Sequence, residues 1–106
     1  MNKLIRSIQI NGVEYNANRD PQFYRRTVNE PFSIELSVSG AGRAEATLEI
    51  AGEGDDAKSI VLPGRVAWEA RFESAGTRVG RVTVTCDDQS DHRELRFDVE
   101  AHAWVG

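Results

Sequence analysis

The sequence predicts a single all-β domain, and three observations carry that expectation. Apolar side chains recur at every second position in at least five stretches, the period of strands with one buried face. Turn-forming residues separate these stretches at the short intervals of a sandwich or small barrel. Nothing reads as a long helix. With 106 residues the chain is near the commonest single-domain size and too short for two ordinary cores. Its 40% apolar and 28% charged content is that of an ordinary globular protein, so disorder is not indicated.

The elements follow in order. Ile8, Ile10, Val13 and Tyr15 flank Asn11-Gly12, the strongest two-residue hairpin signal, so residues 1–15 are assigned to an N-terminal β-hairpin. The pattern lapses over 16–27, an irregular segment, and residues 28–106 form the sandwich. Phe32, Ile34, Leu36 and Val38 make the first stripe, which Gly40 and Gly42 punctuate. Ala44, Ala46, Leu48 and Ile50 make the second, and Gly52, Gly54, Asp55 and Asp56 signal a turn after it. A shorter strand, Ser59 to Leu62, precedes the turn signal Pro63-Gly64. The third stripe is Val66, Trp68, Ala70 and Phe72, the fourth Val82, Val84 and Cys86, and the fifth Leu95, Phe97, Val99, Ala101 and Ala103. A one-residue slip would turn any stripe outward, so each register is well specified. Trp68, Phe72, Val84 and Phe97 are the expected core.

From Arg25 onward "RRTVNEPFSIELSVSG", "ATLEI", "VAWEARFESAGTRVGRVTVTCDD" and "RELRFDVEAH" resemble strands B, C, E, F and G of bacterial immunoglobulin-like domains, which are also similar to fibronectin type III modules. The span Trp68 to Val84 carries most of the likeness: an apolar strand, a glycine corner at Gly76 and Gly80, and a Val-x-Val strand. The resemblance implies an immunoglobulin-like two-sheet sandwich of about seven strands. It departs from the antibody pattern, because Ile34 and Leu36 stand where a strand B cysteine would be. Val84 also replaces the tyrosine of a tyrosine corner, and Trp68 falls on strand E. The likeness concerns fold and implies little about activity.

A net charge of −4 disfavours nonspecific attraction to nucleic acid or an anionic bilayer, so neither is the expected partner. Residues 1–10 include Lys3 and Arg6 and lack the continuous apolar run of a secretory signal or membrane span. One cysteine, Cys86, leaves no internal disulfide and fits a reducing compartment, so the expected location is cytoplasmic.

Cys86 could be a nucleophile served by His92 or His102, but it extends an inward stripe and reads as buried. Asp87, Asp88, Gln89, Ser90 and Asp91 offer oxygen ligands without EF-hand spacing, and Glu53, Asp55 and Asp56 form a second acidic loop at the other end of such a domain; both read as solvated turns. His92 and His102, ten residues apart on one strand, stand too far apart to share a metal. Gly40-Ala41-Gly42 is followed by strand residues, so no helix stands behind it to cradle a phosphate. The expectation is therefore no catalytic residue, no cofactor and no metal site.

Two features point to binding another protein. Trp104 falls on the outer face of the last stripe, where the competing reading is a terminal side chain folded over the rim. Arg19, Phe23, Tyr24, Arg25 and Arg26 in the irregular segment are the residue types that dominate interface hot spots, unless an aromatic plugs an end of the sandwich. By elimination the first expectation is a non-enzymatic accessory subunit or adaptor in a larger bacterial assembly. The alternative is a structural phage or prophage virion component, a decoration or tail protein; an enzyme ranks last.

Overall fold

The computed structural model describes residues 4–15 and 26–101. Seven strands and no helix occur among them: β1 (Ile5–Ile10), β2 (Val13–Glu14), β3 (Arg26–Thr27), β4 (Phe32–Ile50), β5 (Gly54–Ala70), β6 (Gly76–Cys86) and β7 (Gln89–Glu100). They form one curled sheet in the order β2-β1-β4-β6-β7-β3, with β5 also paired to β4. The sheet is mixed, because β3 runs parallel to β7 while every other pair is antiparallel.

The expected hairpin forms around Asn11-Gly12, where Ile10 faces Val13 and both turn residues have positive φ, 56° and 81°. Two positive φ values at the centre define the turn whose twist suits adjoining strands. The first two stripes bury on the same face, yet they belong to one strand of nineteen residues. Gly40 and Gly42 do not reverse the chain. Between Val38 and Gly42 the register against β5 shifts, so these glycines mark a bulge, with φ of 120° and 92°. A Cβ on Gly40 would also stand 3.1 Å from Leu62 Cδ1. Pro63-Gly64, read as a turn, likewise lies inside the seventeen-residue β5, opposite that bulge, where the missing proline N–H costs the ladder nothing.

These two through-running strands explain the single sheet in place of two separately bonded ones. The first half of β4 pairs with β1 and with Gly64–Ala70 of β5. Its second half pairs with β6 and with Gly54–Leu62. The neighbour on one side thus changes from β1 to β6 across the bulge, and the sheet curls into a half-barrel. A hydrogen bond joins two strands that are not neighbours in it: the Ile5 N–H of β1 donates to the Asp91 Oδ2 of β7 at 2.9 Å.

The core lies inside the curl. Phe32, Phe72 and Phe97 meet at its centre with ring centroids 5.3 to 5.8 Å apart, two of the three contacts being edge-on. All four expected core residues, Trp68, Phe72, Val84 and Phe97, are buried. Ala101, placed in the inward stripe by its alternation, is exposed beyond the end of β7, and Ala103 lies outside the described residues. The irregular segment also ends sooner than its composition suggested, since Arg26 and Thr27 pair with Val99 and Glu100. Among the described residues no helix is long and apolar enough to cross a membrane.

Candidate functional site

Of the residues proposed from sequence to bind a partner, Arg19, Phe23, Tyr24, Arg25 and Trp104 lie outside the described residues. Arg26 is half-buried in β3, beside Val99 at the margin of the sheet. Just beyond it the backbone N–H and the hydroxyl of Thr27 both donate to Glu30 Oε1, which holds the Glu30 carboxyl below the usual glutamate range. That contact closes the turn into β4, where Asn29 takes a φ of 67°. It gives this part of the expected surface a structural task.

Cys86 is 8% exposed and sits 3.7 Å from the Ala41 carbonyl oxygen, to which its thiol donates. His92 pairs with Thr83, three positions along β6 from Cys86, a spacing of about 10 Å, and it is exposed whereas the thiol is not. The two are not brought together. The other imidazole, His102, lies outside the described residues.

The acidic segments prove to be strand as much as loop. Asp87 and Asp88 form the tight turn between Cys86 and Gln89, with an Asp87 φ of 52°, while Gln89, Ser90 and Asp91 belong to β7. Asp91 is occupied by the Ile5 N–H. Glu53 lies in the β4–β5 turn, but Asp55 and Asp56 belong to β5 and pair with Glu49 and Leu48. Among the described residues no three His, Cys, Asp or Glu side chains are grouped to hold a metal ion.

The curl creates one place that sequence reasoning missed. Where the bend of β5 brings its two halves together, a cleft of roughly 230 Å³ opens between the β4–β5 tip and the end of β5. Leu48, Ile50, Trp68 and Phe72 line it with apolar surface, and Glu53, Asp55, Asp56, Glu69 and Arg71 supply its polar lining. Arg71 is drawn to Glu69 at 3.3 Å. Lys58 reaches across from the first half of β5, donating to the Ala67 carbonyl at 2.6 Å with its ammonium 5.9 Å from the Trp68 ring centroid. Trp68 is 5% exposed, and its indole N–H is the buried side-chain polar group without a hydrogen-bond partner among the described residues. The sequence signal for this site is Pro63-Gly64, which marks where a strand bends and not where one ends.

A wider, shallower groove runs over the outer face beside Val79, Gly80 and Glu49, with Arg81 and Glu94 paired across it at 2.9 Å. Arg81 is the one cation of its lining and is already paired, and exposed pairs of this kind contribute little. Comparison with protein-family models and with curated proteins gives no match.

Proposed function

We propose that the chain is a non-enzymatic protein-interaction module, an immunoglobulin-like accessory subunit or adaptor of a larger bacterial assembly. The observation that carries this reading is β5: seventeen residues long, paired with β4 on one side and with no strand on the other among the described residues. A free edge is a ready template for a partner's strand. Val61, 65% exposed, projects from it, although most large apolar side chains here are inside. The immunoglobulin-like part of the reading is supported by β4 exchanging β1 for β6 across its bulge, and by Phe32 meeting Phe97 from the far side of the curl.

The test is affinity purification of the full chain from its native host, with Val61→Lys as comparison. An exposed lysine leaves folding intact and guards the edge. A reproducible stoichiometric partner held by the natural chain and lost with Val61→Lys is the expected result. Absence of any such partner overturns the proposal, and a partner held equally by both rules out the β5 edge as the binding surface.

A further inference from the structure

We infer that the Trp68 cleft and the adjoining edge of β5 form one docking site, whose occupant is an extended peptide segment carrying lysine or arginine. This rests on the interaction-module reading and adds to it a location and a partner chemistry.

Three independent features converge there. The first is an unmet donor: Trp68 lines the cleft, and its buried indole N–H has no acceptor among the described residues. Buried donors are almost always paired, so a peptide carbonyl reaching this covered nitrogen as the cleft opens would satisfy it. The second is charge. Glu53, Asp55, Asp56 and Glu69 line the cleft against Arg71, already paired with Glu69, and the Lys58 ammonium that reaches across it, so carboxylates remain in excess. An anionic or purely apolar segment would be repelled or left unmatched, whereas a cationic side chain finds carboxylates on both sides of an apolar floor. The third is backbone: the same strand that supplies Asp55 and Asp56 has an edge paired with no strand among the described residues, and a strand added there would direct alternate side chains toward the cleft.

The inner face of β5 explains why the cleft stays open. Cross-strand partners share a face, so Asp56 opposite Leu48 and Lys58 opposite Ala46 both lie on the side that elsewhere carries the core. Charged groups at these core-facing positions resist closure of the first half of β5 onto an apolar interior, and Lys58 spans the remaining gap to the Ala67 carbonyl. Inward-pointing charges of this kind also discourage indiscriminate edge pairing, which leaves the site selective for a segment that can answer them.

The experiment titrates the full chain with two synthetic peptides, acetyl-Lys-Val-Lys-Val-Lys-amide and acetyl-Glu-Val-Glu-Val-Glu-amide. The Trp68 indole N–H resonance is followed by NMR, assigned by its loss in Trp68→Phe. The basic peptide should move that resonance saturably and the acidic one should not. Asp55→Asn with Asp56→Asn should weaken binding about threefold to tenfold, as should Trp68→Phe. Raising the salt from about 0.05 M to about 0.5 M should weaken it further. Saturation with neither peptide, equal response to both, or indifference to the Asp55 and Asp56 changes would overturn the inference. If the cellular partner is held but its contacts map to β6 or β7, this site is wrong and the interaction-module reading stands. If no partner is held and the peptides bind as described, the site stands and the accessory-subunit reading falls.

Discussion

Trp68 should tolerate loss of its N–H and not of its ring, and the contrast measures whether that donor is truly unmet. The side chain is 5% exposed and belongs to the main core cluster, so Trp68→Ala removes nearly all of a large buried surface and leaves a cavity. Such truncations cost about 3 to 5 kcal/mol. Trp68→Phe keeps one ring in place and deletes the indole nitrogen. The lost packing costs roughly 1 to 2 kcal/mol, but removing a buried donor without a partner returns about 1 to 3 kcal/mol. The two nearly cancel, so stability should stay within about 1 kcal/mol of the natural chain. Urea unfolding followed by far-ultraviolet circular dichroism would measure both. At a slope of about 1.5 kcal/mol per molar, the alanine variant should lose about 2 to 3 M in midpoint and the phenylalanine variant well under 1 M. A loss above about 2 kcal/mol for Trp68→Phe would mean that the indole N–H is satisfied after all. A loss below about 1 kcal/mol for Trp68→Ala would overturn the burial of the third stripe.

Gly40→Ala should destabilise by about 1 to 3 kcal/mol, because φ is 120° there and the new methyl meets Leu62. Gly12→Ala, with nothing near its Cβ but a φ of 81°, should cost less in the same unfolding assay, and the reverse order would refute the bulge geometry. Cys86 should label slowly with a thiol reagent in the native state and rapidly in denaturant, and fast native labelling would contradict its burial. Because the Thr27 donors lower the Glu30 pKa in the folded chain, its contribution to stability is present at neutral pH. It is lost as pH falls through the folded pKa. NMR titration should therefore find Glu30 below the usual glutamate range. Glu30→Gln should remove that part of the acid sensitivity, and an ordinary Glu30 pKa would show that the turn does not form as described.

Strand positions and faces were legible because alternation is a local property of the chain. Phe32 to Val38 and Ala44 to Ile50 bury as their spacing requires, and Asn11-Gly12 turns as its residues require. The connection between stripes was not legible, because the same glycines serve a turn or a bulge. At Gly40 and Gly42 the choice depends on β5 lying alongside, and at Pro63-Gly64 it depends on β4. Neither neighbour is specified within the local sequence. The parallel pairing of Arg26 and Thr27 with β7 was hidden for a similar reason: a two-residue strand carries no period.

The same distinction accounts for the candidate site. Glu53, Asp55 and Asp56 read as a solvated loop when only their neighbours in sequence are counted, and Trp68 reads as an ordinary core residue. The bend of β5 changes both meanings at once. It places carboxylates more than a dozen positions upstream on the rim of a cleft lined by the indole, and it leaves Asp56 and Lys58 on a face where a closed sheet would have apolar groups. A continuous apolar stripe along the first half of β5 would have closed the curl over Trp68. The sequence has that stripe only from Ile60 onward, so the break in alternation before Ser59 is itself the local trace of an open cleft. Restoring the stripe tests this reasoning: Asp56→Val with Lys58→Val should raise stability and quench access to Trp68, while binding of the lysine peptide falls. If the double variant instead binds that peptide as well as the natural chain does, the inward charges are not what holds the site open.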